Sequence, residues 1–124
     1  MSNAADAARA YFAAVGAADI DGFRALFAQD VRLEDPVGGP VLEGHAGVER
    51  LLKMTHRAWE TLALTPTLVA ARGDRAAAAW TAAGRSASGK DIAFDGINVF
   101  RVDEAGRIVH LEAYWDLEGV IAQM

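Results

Sequence analysis

Between Ala4 and Val15 the apolar side chains Ala4, Ala8, Tyr11, Phe12 and Val15 fall three and four residues apart, which predicts one face of a helix. Asp19 is placed to cap a second, shorter helix with Phe23, Leu26 and Phe27 on its buried side, and Gly16 suits the break between the two. From Val31 the period changes to two. Val31, Leu33 and Asp35 share one face of an extended segment, while Arg32 and Glu34 take the other. Pro36 has no N–H for a sheet ladder and biases Asp35 toward an extended backbone, so the strand stops there. Gly38-Gly39-Pro40 reads as a turn and Val41-Leu42 as a short apolar piece. A third helix is expected from Gly44 to about Trp59, with Val48, Leu51, Leu52 and Thr55 on one side.

The second half reads as a meander of long strands. They run Leu62 to Arg72, Arg75 to Ala87, Asp91 to Val102 and Arg107 to Asp116, separated by Gly73-Asp74, Ser88-Gly89 and Asp103 to Gly106. Ala76 to Ala79 favour helix by propensity alone, against that pattern. A short helix over Leu117 to Met124 closes the chain. Three helices and an antiparallel run of strands imply one α+β domain over residues 1–124. A strongly curved sheet wrapped over helices would leave a cone-shaped cavity fit for a small apolar ligand.

Composition narrows the function. With 124 residues, 52% hydrophobic and 23% charged, the chain has the balance of a folded single domain. Net charge is -5 and the 12 Lys and Arg are scattered, so no basic stripe exists for nucleic acid. Cysteine is absent, which removes disulfides, thiolate nucleophiles and Cys-based metal sites. Met1-Ser2-Asn3-Ala4-Ala5-Asp6 lacks the basic region of a signal peptide, and no apolar run approaches the ~20 residues of a membrane helix. A cytoplasmic protein without membrane contact is the simplest expectation. His45, His56 and His110 form no metal-binding spacing, and no phosphate-binding glycine loop or nucleophile elbow occurs.

Asp35 is the most informative residue. On the core face of a strand end, desolvation would raise its pKa and make it a base near neutral pH. Equally, the Asp35-Pro36-Val37-Gly38 sequence fits a turn capped by the carboxylate. Asn98 shares the parity of Ile92, Phe94, Phe100 and Val102, so an amide stands in an apolar stripe and needs partners, either backbone or a ligand oxygen. Tyr11 carries a phenol on the apolar face of the first helix. Trp115, in line with Val109, Leu111 and Ala113, reads as a wall.

Together these positions resemble the Δ5-3-ketosteroid isomerases of the NTF2-like (SnoaL-like) superfamily. The matching stretches are Ala10-Tyr11-Phe12, Leu33-Glu34-Asp35-Pro36-Val37-Gly38, Leu42-Glu43-Gly44, and Val102 to Ile108 running into Glu112-Ala113-Tyr114-Trp115. The resemblance implies an NTF2-like cone: three N-terminal helices packed on a strongly curved mixed or antiparallel sheet. It implies a cofactor-free isomerase in which Asp35 moves a proton while Tyr11 donates to the 3-oxo group of a steroid or similar apolar ketone. Asn98 stands where the family usually has a protonated aspartic acid and would donate through its NH2. Trp115, Leu111, Phe27, Leu52, Phe94 and Phe100 would line the substrate, Phe27 and Leu52 replacing tyrosines that support the phenol in better-known members. Small residues at Ala79, Thr81 and Ala83 would reshape the lining. A homodimer through the open face of the sheet is also implied.

Two other functions remain open. The tail from Trp115 to Gln123 is similar to endings of SnoaL-like polyketide cyclases, with His110 as an additional acid or base. A non-catalytic small-molecule-binding domain is a common use of the same fold. The Asp-Arg-Asp set of limonene-epoxide hydrolases and the paired histidines of scytalone dehydratase are not found.

Overall fold

Small side chains on the first helix decide how closely it can lie on the sheet. In the computed structural model, which describes residues 3–124, α1 (Asn3–Ala17) buries Ala4, Ala7 and Ala8 at one end and Tyr11 and Phe12 at the other. Met1 and Ser2, part of the terminus read above as lacking a signal region, lie outside the described residues. The chain continues through α2 (Ile20–Ala25), β1 (Phe27–Glu34), β2 (Val41–Glu43), α3 (Gly44–Ala58), β3 (Trp59–Arg72), β4 (Arg75–Ser86), β5 (Asp91–Val102), β6 (Ile108–Tyr114) and α4 (Leu117–Gln123). The six strands form one curved, mixed sheet in the order β2-β1-β6-β5-β4-β3. All neighbours are antiparallel except β1 and β6, which run parallel. No helix among the described residues is long and apolar enough to cross a membrane.

Three local expectations are corrected. Phe27 is not on the second helix; α2 ends at Ala25 and Phe27 opens β1, where its ring still reaches Phe23 at 5.0 Å. Gly16 lies within α1, and the left-handed turn that ends the helix falls on Ala18, at φ 52°. Trp59 begins β3 instead of closing α3, so its indole packs on the sheet. By contrast Asp19 caps α2 as expected, its carboxylate accepting from Gly22 N at 3.0 Å. The alanine run is strand. Ala76 and Ala78 pair with Phe100 and Asn98 of β5, and tertiary packing overrides their helical propensity.

The core lies between the helices and the concave face of the sheet. Val31 and Leu33 of β1, Phe100 of β5 and Leu111 of β6 are fully buried there, against Val48 of α3 and Phe12 of α1. Arg24 of α2 grips Glu49 of α3 through two short contacts of 2.6 and 2.7 Å, joining the helices over this core.

Candidate active site

The parallel pairing of β1 with β6 brings the two ends of the site together. Leu33 lies opposite Leu111 and Glu34 opposite Glu112, and beyond the ladder Val37 N donates to Ala113 O at 2.8 Å. The Asp35-Pro36 peptide is cis. This geometry sets Asp35, half-buried, beside Trp115, whose indole Nε1 donates to Asp35 Oδ1 at 2.7 Å. The amides of Val37 and Gly39 bond the carbonyls of Ala113 and Pro36, not the carboxylate. The turn-capping alternative therefore fails, and Asp35 faces the interior. Burial pushes its carboxyl above the ordinary range, and the Trp115 hydrogen bond opposes that only in part.

Tyr11 comes to the same place from α1. Its ring is enclosed by Phe12, Phe23 and Phe100, each at 5.4 Å. Burial first, and then the charge of Asp35, raise its pKa strongly, while the nearby Asn98 amide works the other way. The phenol is thus neutral at physiological pH and available as a donor. Asn98, from β5, is fully buried. Its Oδ1 accepts from Trp80 Nε1 at 2.9 Å, and its Nδ2 has no hydrogen-bond partner among the described residues. A carboxylate with raised pKa, a neutral phenol and an amide N–H with capacity to spare are thereby coupled in one low-dielectric region.

The remaining expected lining residues divide. Phe94 is partly buried and touches Trp59, Trp80 and Trp115 at 5.7, 5.5 and 5.6 Å, a cluster of rings that reaches Asp35 through Trp115 and the core through Trp80. Leu52 is also partly buried and packs against the core from α3. Phe27, Phe100 and Leu111 lie deeper, buried in the core, where Phe100 packs on the Tyr11 ring. Behind the phenol stand Phe23 and then Phe27, with no hydroxyl to extend a hydrogen-bond chain. Ala79, Thr81 and Ala83 are not lining residues. They face outward, and Ala76, Ala78, Trp80 and Ala82 face the core. A run of alanines has no polar contrast from which to read a strand's facing, so nothing in the local pattern corrects the lining that the resemblance implies. Trp80 and Trp59 were missed for the same reason and through the misplaced end of α3.

Two open grooves lie elsewhere. One is bounded by Asp30, Asp74, Arg101 and Glu104, the other crosses the outer face near Thr61, Arg85 and Asp91; neither reaches Asp35, Tyr11 or Asn98. Sequence spacing also missed a group on the outer face of the sheet. Glu34, His110 and Glu112 offer ligand atoms within 4.8 Å of one another, because the parallel pairing aligns residues far apart in the chain. Arg32 and Arg101 lie opposite His110 in the two neighbouring strands, so these acids stand in a mixed-charge patch.

The sequence matches the SnoaL-like domain family over residues 8–111. The chain belongs to that family. Solved structures place the SnoaL-like domain in the wider NTF2-like fold. A putative polyketide cyclase from Xanthomonas campestris pv. campestris is 26% identical with a TM-score of 0.87, covering 98% of this chain and 96% of its own. A Mycobacterium tuberculosis protein in complex with estradiol-17beta-hemisuccinate is 26% identical with a TM-score of 0.84, covering 95% and 97%. An LEH-like epoxide hydrolase from Mycobacterium tuberculosis is 25% identical with a TM-score of 0.80, covering 98% and 91%. The SnoaL-like fold thus carries enzymes of more than one chemistry and a structure holding a steroid ester.

Proposed function

We propose that this SnoaL-like domain is a cofactor-independent isomerase that moves a C=C bond of a 3-oxo-Δ5-steroid, or a similar apolar ketone, into conjugation. The observation that carries this reading is the meeting of a desolvated carboxylate, Asp35, with two neutral donors, Tyr11 and Asn98, in an apolar interior. Asp35 removes a proton from the carbon between the ketone and the double bond. The electron pair shifts into a dienolate whose charge gathers on the ketone oxygen, where Tyr11 O–H and Asn98 Nδ2–H donate. The protonated Asp35 then returns the same proton at the far end of the dienolate, so the atoms balance without a co-reactant. A raised carboxyl pKa brings the base closer to the acidity of the carbon it must deprotonate, and donors placed in a dry site favour the developing oxyanion. The amide at 98 donates without itself being protonated, though as a weaker acid than a carboxyl group. The steroid ester held by the related mycobacterial structure supports the ligand class.

The test is a wild-type incubation with a Δ5-3-ketosteroid, read by ultraviolet absorbance of the conjugated enone. Absorbance rising no faster than in buffer would end the steroid reading. A second reading, intramolecular carbon–carbon bond formation in a polyketide, is favoured by the similarity to a putative polyketide cyclase and would use the same base. Cyclised product from a polyketone, without double-bond movement in the steroid, would select it. Ligand binding with neither reaction would select a carrier.

The same reading includes a homodimer through the outer face of the sheet. Leu68, Ala79, Ile97 and Tyr114 align in register across β3, β4, β5 and β6, and Leu68, Ile97 and Tyr114 are 65%, 49% and 45% exposed. An apolar row of this kind suits a self-complementary contact between two copies. Light scattering should give twice the chain mass, and Ile97→Lys should reduce it to one; a wild type weighing one chain would refute it.

A further inference from the structure

We propose that Trp80, seated over Gly96, is a positioning residue that fixes the Asn98 amide with its NH2 toward a bound oxygen; this rests on the oxyanion role of Asn98 given above. An indole N–H only donates. Bonded to Asn98 at 2.9 Å inside the core, it requires the amide oxygen on its side and leaves Nδ2 on the other. Turning the amide over would set N–H against N–H where no water can relieve it. Nδ2 has no partner among the described residues, and it lies near enough to Tyr11 to favour the ionised phenol. It is a held donor next to a second donor, as recognition of one anionic or ketone oxygen requires.

Gly96 makes this arrangement possible. In the β4–β5 ladder Trp80 faces Gly96 and Ala78 faces Asn98, so the indole must lean along the strand to reach its acceptor. It does so across the space a side chain at 96 would fill. A Cβ there would stand 2.5 Å from Trp80 Cζ2, 2.8 Å from Cη2 and 2.5 Å from the Tyr114 carbonyl oxygen. Phe94 meets the same indole edge-on at 5.5 Å and holds it from another direction. An amide at 98 needs a fixed orientation, because its two ends are opposite in hydrogen-bonding character; Trp80 supplies it.

The probe is 2-naphthol, whose oxygen can occupy the Tyr11–Asn98 site, with naphthalene as the matched ligand lacking that oxygen. Binding of both is followed by fluorescence. Asn98→Ala should weaken naphthol about tenfold, the scale of one buried hydrogen bond, and Trp80→Phe should weaken it about as much. The double variant should be no worse than Asn98→Ala, and naphthalene should bind all of them alike. In the steroid assay Trp80→Phe should lower kcat with little change in KM. Gly96→Ala, which keeps the indole but displaces it, should reproduce the naphthol loss. If Trp80→Phe disturbs folding, the wild-type protein still decides: its Trp80 indole proton should exchange slowly with solvent by NMR, and quickly in Asn98→Ala. Wild-type naphthol affinity in Trp80→Phe, equal loss of naphthol and naphthalene, or a rapidly exchanging Trp80 proton in the wild type would each overturn the proposal. Undiminished naphthol binding by Asn98→Ala would instead refute the oxyanion role, and the positioning role with it.

Discussion

Among the described residues Asp35 is held by a single indole, and burial, opposed in part by that contact, sets both its chemistry and its effect on stability. As the base it must be ionised, so activity should fall as pH drops through its raised pKa. Trp115→Phe removes the hydrogen bond that lowers that pKa, and the acidic limb of the rate profile should move to higher pH. Asp35→Asn should cost activity on the order of 10²–10⁴-fold, and Tyr11→Phe on the order of 10²-fold, in the enone assay. Stability should move the opposite way. Because the folded-state pKa is raised, the native protein retains a proton that the unfolded chain releases, and stability falls as pH rises through the interval between the two values. Asp35→Asn should therefore leave Tm unchanged below the ordinary carboxylate range and raise it at neutral pH, as calorimetry at two pH values would read. At this scale the sequence located the residues but not their partners. Asp35 stood out by strand parity against Pro36, and Asn98 by its apolar stripe, whereas Trp80 and Trp115 could be paired with them only once the strands were in register.

At the scale of elements, boundaries were legible where a residue's own chemistry enforces them. Asp19 caps α2, and the turns at Gly73, Gly89 and Gly106 fall at positive φ where expected. Boundaries governed by tertiary pairing were not: β1 begins at Phe27 because the backbone there pairs with Ile108 of β6, not because the local sequence turns extended there. Ala18 shows the same disagreement between local preference and context. It ends α1 in a left-handed conformation, with Ala18 N and Asp19 N bonded to Val15 O and Ala14 O, in a place that favours glycine. Ala18→Gly should stabilise the protein by about 0.5–1 kcal/mol, seen as a higher urea midpoint at unchanged slope. The cap of α2 gives a reciprocal case, and Asp19→Ala should cost about 1 kcal/mol by the same measurement.

For the whole molecule, the α+β class and the four long strands followed from periodicity, but the order of the sheet did not. Nothing in the local pattern of Val31 to Glu34 marks a parallel neighbour beginning at Ile108, and that one pairing assembles both the Asp35–Trp115 contact and the Glu34–His110–Glu112 group. The β1–β6 pairing also has a consequence for the order of folding. Asp35 and Trp115 are 80 positions apart, a loop whose closure is slow compared with forming helices or hairpins. Until that closure the carboxylate is in water with the acidity of any free aspartate, and the elevated basicity on which the proposed reaction depends does not exist. Catalytic competence is then the last property acquired on refolding, arriving with the docking of first strand on last and trailing the recovery of helical signal.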